Sequence, residues 1–253
     1  MDSSYILSTI NPVVGLLLTL TFFLIWKRHP DKKYILSWAF GFLAGSLGYA
    51  LEFVHFFVAN FHFSNGVNIL LPVSMMFMAR GLCQRYGREA PDRLLLSAAI
   101  LSGFIGFVMS FGDHNALIRG MLVSSGVAVM MFIAMDAVFR SSNRETIDRY
   151  ILAMVFFLTI LMLARPLLSF FVEGVQRTGS IELNSFWVVS LKVGGLFGWM
   201  TFAILFLLRI ANDLINELNE QTVTDALSGI LNRRGFFATA GELVTRATPK
   251  LPI

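Results

Sequence analysis

Four residues stand out for their chemistry. Glu52, His55, Arg165 and Lys192 each lie in an apolar run where other ionisable side chains are scarce. An ionisable group at membrane depth is costly and marks a partner, a pathway or a ligand. Glu52 and His55 are three residues apart, so on a helix they share one face. Arg165 precedes Pro166, and Lys192 lies within "FWVVSLKVGG". Two acceptors and two cations at similar depth would make a pocket for a small anionic or polar ligand. In a second reading, Glu52 pairs with Arg165 or Lys192 and only holds helices together; in a third, the long cations snorkel to the interface.

Other candidates are weaker. His55, His62 and His114, with Asp113 beside the last, are residue types that bind zinc or copper, but they lack tight ligand spacing. The expectation is therefore no metal and no cofactor in this chain. Met75, Met76, Met78, Met130 and Met131 are expected to be packing residues. The single cysteine, Cys83, excludes an intramolecular disulfide and a Cys-rich metal site.

The inventory dictates what must carry these residues. Hydrophobic residues make up 56% and charged residues 14%, with a mean hydropathy of +0.69. Soluble domains carry about 25% charge, so a solvated surface cannot be assembled. The 25 phenylalanines agree. The expected class is an all-α integral membrane protein. Nucleic acid is not an expected partner despite the net charge of +4, because the basic residues gather at the ends of apolar runs. The start "MDSS" lacks the basic stretch of a cleaved signal, so the first apolar run is expected to be retained.

Seven apolar runs suit membrane helices of about 20 residues, near residues 5–26, 34–59, 66–84, 93–111, 117–139, 149–172 and 184–209. Alternate connections carry eleven basic residues against two: Lys27, Arg28, Lys32, Lys33, Arg80, Arg85, Arg88, Arg93, Arg140, Arg144 and Arg149 oppose Arg119 and Arg177. Lysine and arginine favour the cytoplasmic side. The N-terminus is thus expected outside and the C-terminus inside, with Glu52, His55, Arg165 and Lys192 toward the outer side. Asp136, near the cytoplasmic boundary, is expected to cap or to pair with nearby arginines.

Past Arg209 the chain turns polar but stays helix-forming. Leu207, Ala211, Leu214 and Leu218 recur at coiled-coil spacing for barely two heptads. A short parallel dimer helix over 205–222 is preferred to one lying on the membrane surface, because acidic Asp213, Glu217 and Glu220 disfavour anionic lipid. Next comes "TDALSGILNRRGFFATA". Ser228 and Gly229 break a helix, and Asn232 is a good N-cap for one starting at Arg233. Phe236, Ala240, Leu243 and Val244 then share a face that requires a cover.

This stretch resembles the opening of the GGDEF domain of diguanylate cyclases, D-x-L-T-G-L-x-N-R-R-x-F. Asp225, Leu227, Gly229, Asn232, Arg233, Arg234 and Phe236 match it, with Ser228 where threonine is usual and Ile230 where leucine is usual. The resemblance covers about the last thirty residues. It implies a seven-helix membrane sensory domain (1–209), a signalling linker helix (210–222) and the N-terminal fragment of an α/β GGDEF domain (223–253). In such cyclases two domains, each holding one GTP, join the nucleotides as cyclic di-GMP with magnesium. The metal-binding aspartates and the Gly-Gly-[Asp/Glu]-Glu-Phe hairpin lie downstream of this opening and are not among these 253 residues. The chain is therefore expected to be truncated and inactive alone, with GTP and magnesium implied only for the complete domain. The matched residues are expected to shape a coupling turn rather than to catalyse. The resemblance also implies a bacterial inner-membrane location.

Two other readings compete. One is a transporter with a chance GGDEF-like tail. Against it, transporters carry broken helices in corresponding halves and polar groups at mid-depth. The other is a receptor-like protein with a vestigial tail that pairs with intact cyclases.

Overall fold

The computed structural model describes residues 3–55, 66–111, 114–141, 144–175, 185–221, 225 and 228–246. Among them are eight helices: α1 (Ser3–Arg28), α2 (Lys33–His55), α3 (Gly66–Arg85), α4 (Asp92–Val108), α5 (Ala116–Phe139), α6 (Thr146–Glu173), α7 (Phe186–Gln221) and α8 (Arg233–Arg246). No strand occurs among the described residues. Six helices, α1, α2, α3, α5, α6 and α7, are long and apolar enough to cross a membrane. This is the pattern of a multi-pass membrane protein. The fourth apolar run forms a helix of only 17 residues, about 25 Å at 1.5 Å per residue, at the short limit for a span.

The chain divides into two compact units, Met1–Leu205 and Phe206–Ile253. In the first, α2 lies against both α1 and α3, α3 against α4 and α5, and α5 against α4 and α6. Small residues permit these approaches, as expected where lipid offers no hydrophobic drive between helices. A Cβ on Gly45 would stand 1.9 Å from the indole of Trp199, and one on Gly81 2.4 Å from Trp38. The Ser46 hydroxyl donates to the Pro12 carbonyl at 2.7 Å. Pro12, Pro72 and Pro166 all sit inside helices, as membrane helices tolerate.

Large apolar side chains cover the outside. Leu17 of α1, Phe104 of α4 and Phe157 of α6 are 60%, 61% and 58% exposed. A soluble monomer does not expose so much apolar surface. Polar contacts gather at the basic end. Arg80 donates twice to Asp92, at 2.9 and 3.2 Å. The Tyr86 hydroxyl donates to Asp148 at 2.6 Å. Asp148 also closes a capping box with Glu145, which starts α6 three residues before its apolar run does. Asp136 pairs with Arg140 at 2.6 Å, one turn along α5.

In the second unit, Arg209 and Asp213 pair at 3.3 Å across one turn of α7, which continues as helix to Gln221. A turn and α8 follow. The Asp225 carboxylate accepts from the Ser228 amide and hydroxyl, both at 2.9 Å. The Asp225 amide donates to the Ile230 carbonyl at 2.7 Å, and the Gly229 amide to the Asp225 carbonyl at 2.9 Å. Gly229 has φ +67°, a conformation glycine adopts without penalty. Asn232 caps α8, its side-chain oxygen accepting from the Gly235 amide at 2.8 Å.

Candidate functional site

The end of the bundle opposite the basic connections holds three buried cations, Arg119, Arg165 and Lys192. Lys192 lies six residues into α7, about 9 Å from its start, and is 1% exposed. Its ammonium stands 3.2 Å from Glu52 of α2 and donates to the Ser8 hydroxyl of α1 at 2.7 Å. The Lys192 carbonyl accepts from the Asn11 side chain at 3.1 Å, and the Leu191 carbonyl accepts from the Tyr49 hydroxyl at 3.2 Å. Three helices thus meet around one ion pair. Such a pair is worth little against an apolar replacement, but losing one partner leaves a stranded charge.

Arg165 is placed differently. It donates from Nη1 to the Trp187 carbonyl at 2.8 Å, and its guanidinium carbon lies 4.3 Å from the Trp187 ring centroid. Arg119 of α5 approaches the same ring, at 5.8 Å. Each arginine is 8% exposed, and neither forms an ion pair among the described residues. Arg165 Nε is buried with no hydrogen-bond partner.

Trp187 is held by its neighbours. A Cβ on Gly120, beside Arg119, would meet its ring at 2.2 Å and Pro166 at 3.0 Å. Its backbone is fixed by Glu173 of α6, whose carboxylate accepts from the Phe186 amide at 2.5 Å and the Trp187 amide at 3.3 Å. A carboxylate there caps the N-terminus of α7 and complements its dipole.

The three sequence candidates whose side chains are described therefore fall into two groups. Glu52 and Lys192 come together; Arg165 joins Arg119 and Trp187 instead. The His55 side chain lies outside the described residues, as do His62 and Asp113. Among the described residues no three His, Cys, Asp or Glu side chains form a metal-sized group. Cys83 is a buried free thiol. Met75, Met131 and Met162 line an apolar cavity of about 40 Å³ with Tyr49, Leu158 and Trp199, large enough for a water by volume but too apolar to hold one.

Sequence reasoning missed Ser8, Asn11, Arg119, Glu173 and Trp187. Ser8 and Asn11, one turn apart in an apolar run, were a usable signal for an inward-facing stripe. Arg119 carries one too, as an arginine within an apolar run.

In the tail, Asp225, Ser228, Gly229 and Asn232 each make the turn or the cap. Arg233 lies over the Phe237 ring at 6.0 Å. Phe236, Leu243 and Val244 are exposed, so the apolar face of α8 is uncovered among the described residues. Leu227 and the Arg234 side chain lie outside them. Comparison with family models, with curated proteins and with solved structures found no match.

Proposed function

We propose that this chain is the membrane sensory and regulatory portion of a diguanylate cyclase, passing a signal from the outer side or the membrane to a cytoplasmic GGDEF domain. The observation that carries the proposal is the match of Asp225, Leu227, Gly229, Asn232, Arg233, Arg234 and Phe236 to the GGDEF opening, next to a helix of 36 residues that begins in an apolar run and ends in a polar one. The turn chemistry of Asp225, Gly229 and Asn232 gives the matched residues a coupling role. The exposed face of α8 suits a helix awaiting the rest of a domain.

In this reading the bundle has seven spans, with N-terminus outside and C-terminus in the cytoplasm of a bacterial inner membrane. The 17 residues of α4 suffice, because Leu94, Leu96, Ile100, Leu101 and Phe104 present an apolar surface like that of the longer helices. Residues 205–222 form a parallel dimer helix. Ala211 and Leu218 are exposed, as are Leu208 and Ile215, and these four residues continue the alternation of three and four. GTP and magnesium belong to the complete domain, where carboxylates would hold the metal.

A fusion tests the proposal. Residues 1–253, continued by the remainder of an active GGDEF domain, should make cyclic di-GMP in membrane vesicles. One residue inserted between 210 and 222 should reduce output by rotating the domains. A silent fusion, when the same domain is active on a leucine zipper, refutes the reading. Purified 1–253 alone should convert no GTP above a boiled control.

A further inference from the structure

We infer that Arg119, Arg165 and Trp187 form a receiving site for an oxyanion, a carboxylate or phosphate presented from the end of the bundle opposite the basic connections. The inference is independent of the tail and of any cyclase role. Two guanidinium groups lie within 6 Å of one indole, at 5.8 and 4.3 Å from its centroid. Added together, these distances bound the separation of the guanidinium carbons at about 10 Å. A phosphate accepting from two guanidinium forks at about 2.8 Å holds their carbons up to roughly 8 Å apart, a separation inside that bound.

The site is built rather than incidental. Each arginine is nine-tenths buried, and Arg165 Nε has no hydrogen-bond partner. Gly120 admits the indole edge, and Glu173 fixes the backbone from which Trp187 projects. Two buried cations stacked on one ring repel each other, and the ring quadrupole offsets that only in part. The described carboxylates at this end are both engaged: Glu52 with Lys192 at 3.2 Å, and Glu173 with Ser169 and two α7 amides. Among the described residues no carboxylate pairs with either arginine, which leaves the role of counter-charge to the ligand. Arginine suits the task because its planar fork matches carboxylate and phosphate and it stacks on aromatic faces.

Two sources offer this chemistry, a soluble anion and a lipid headgroup. The test uses the purified chain and reads tryptophan fluorescence. One arm titrates inorganic phosphate in neutral detergent at constant ionic strength. The other compares nanodiscs of phosphatidylglycerol with nanodiscs of phosphatidylcholine. Saturable change in the phosphate arm supports a soluble anion; change confined to phosphatidylglycerol supports a lipid. Either response should vanish in Trp187→Phe and weaken at least tenfold in Arg119→Gln. If Arg119→Gln fails to fold, Arg119→Lys, which keeps charge but loses the fork, should bind more weakly than wild type. No response in either arm overturns the inference. So does a response gained only after Asp113→Asn, since the chain would then supply its own counter-charge.

Discussion

Lys192 and Arg165 are buried cations at the same end of one bundle, yet their surroundings differ in kind. Lys192 has a carboxylate at 3.2 Å and a hydroxyl at 2.7 Å from two other helices. Arg165 has a backbone carbonyl at 2.8 Å, an indole face and a second arginine near the same ring. The first arrangement is neutral and joins α1, α2 and α7, so it acts as a clamp. The second carries net positive charge among the described residues in a poorly solvated place, so it acts as a receptor for charge of the opposite sign. Burial of a cation does not decide between structure and binding; what decides is whether the chain provides the counter-charge.

The sharpest way to break this contrast is to open the clamp. Lys192→Met removes the cation that pairs with Glu52 and should cost about 3–5 kcal/mol, measured as unfolding in detergent. Adding Glu52→Gln should restore most of the loss. A Lys192→Met protein as stable as wild type would place the clamp elsewhere.

Two glycines sharpen it next. Gly45→Ala and Gly120→Ala each drive a Cβ into an indole, Trp199 or Trp187, and each should cost about 1–3 kcal/mol. Only Gly120→Ala should also lose the response to oxyanion.

The sign should reverse at the arginines. With no oxyanion present, Arg119→Gln removes like-charge repulsion and should raise stability by about 2 kcal/mol, the scale for charges about 10 Å apart at an effective dielectric of 20. A loss of stability would show that Arg119 already has its partner. The smallest effect belongs to the tail: Asn232→Ala loses the cap on Gly235 and should cost about 1 kcal/mol. Hydrogen exchange should show this as earlier opening of α8, with the unfolding temperature of the bundle unchanged.

The sequence foretold some of this and concealed the rest for a physical reason. Helix positions followed from apolar runs and charged breaks, and the start of α8 followed from the capping preference of Asn232. Its uncovered face was legible in the spacing of Phe236, Leu243 and Val244. The choice of partner for Glu52 was not legible, because lipid and protein interior are both apolar and membrane helices carry little periodic contrast between faces. For the same reason Arg119 reads as a connecting charge, although it is the fourth residue of α5 and lies against the Trp187 ring. The 36-residue length of α7 was foreseeable as an apolar run passing into a polar helix without a breaker.

The most direct test of the clamp-and-receptor account is the unfolding temperature with and without a saturating oxyanion. The probe is whichever carrier the wild type binds, phosphate or phosphatidylglycerol. Wild type and the Glu52→Gln, Lys192→Met double variant should rise by the same amount, while Arg119→Gln with Arg165→Gln stays flat. Equal rises in all three proteins, or a rise lost only in the Glu52 and Lys192 variant, would contradict it.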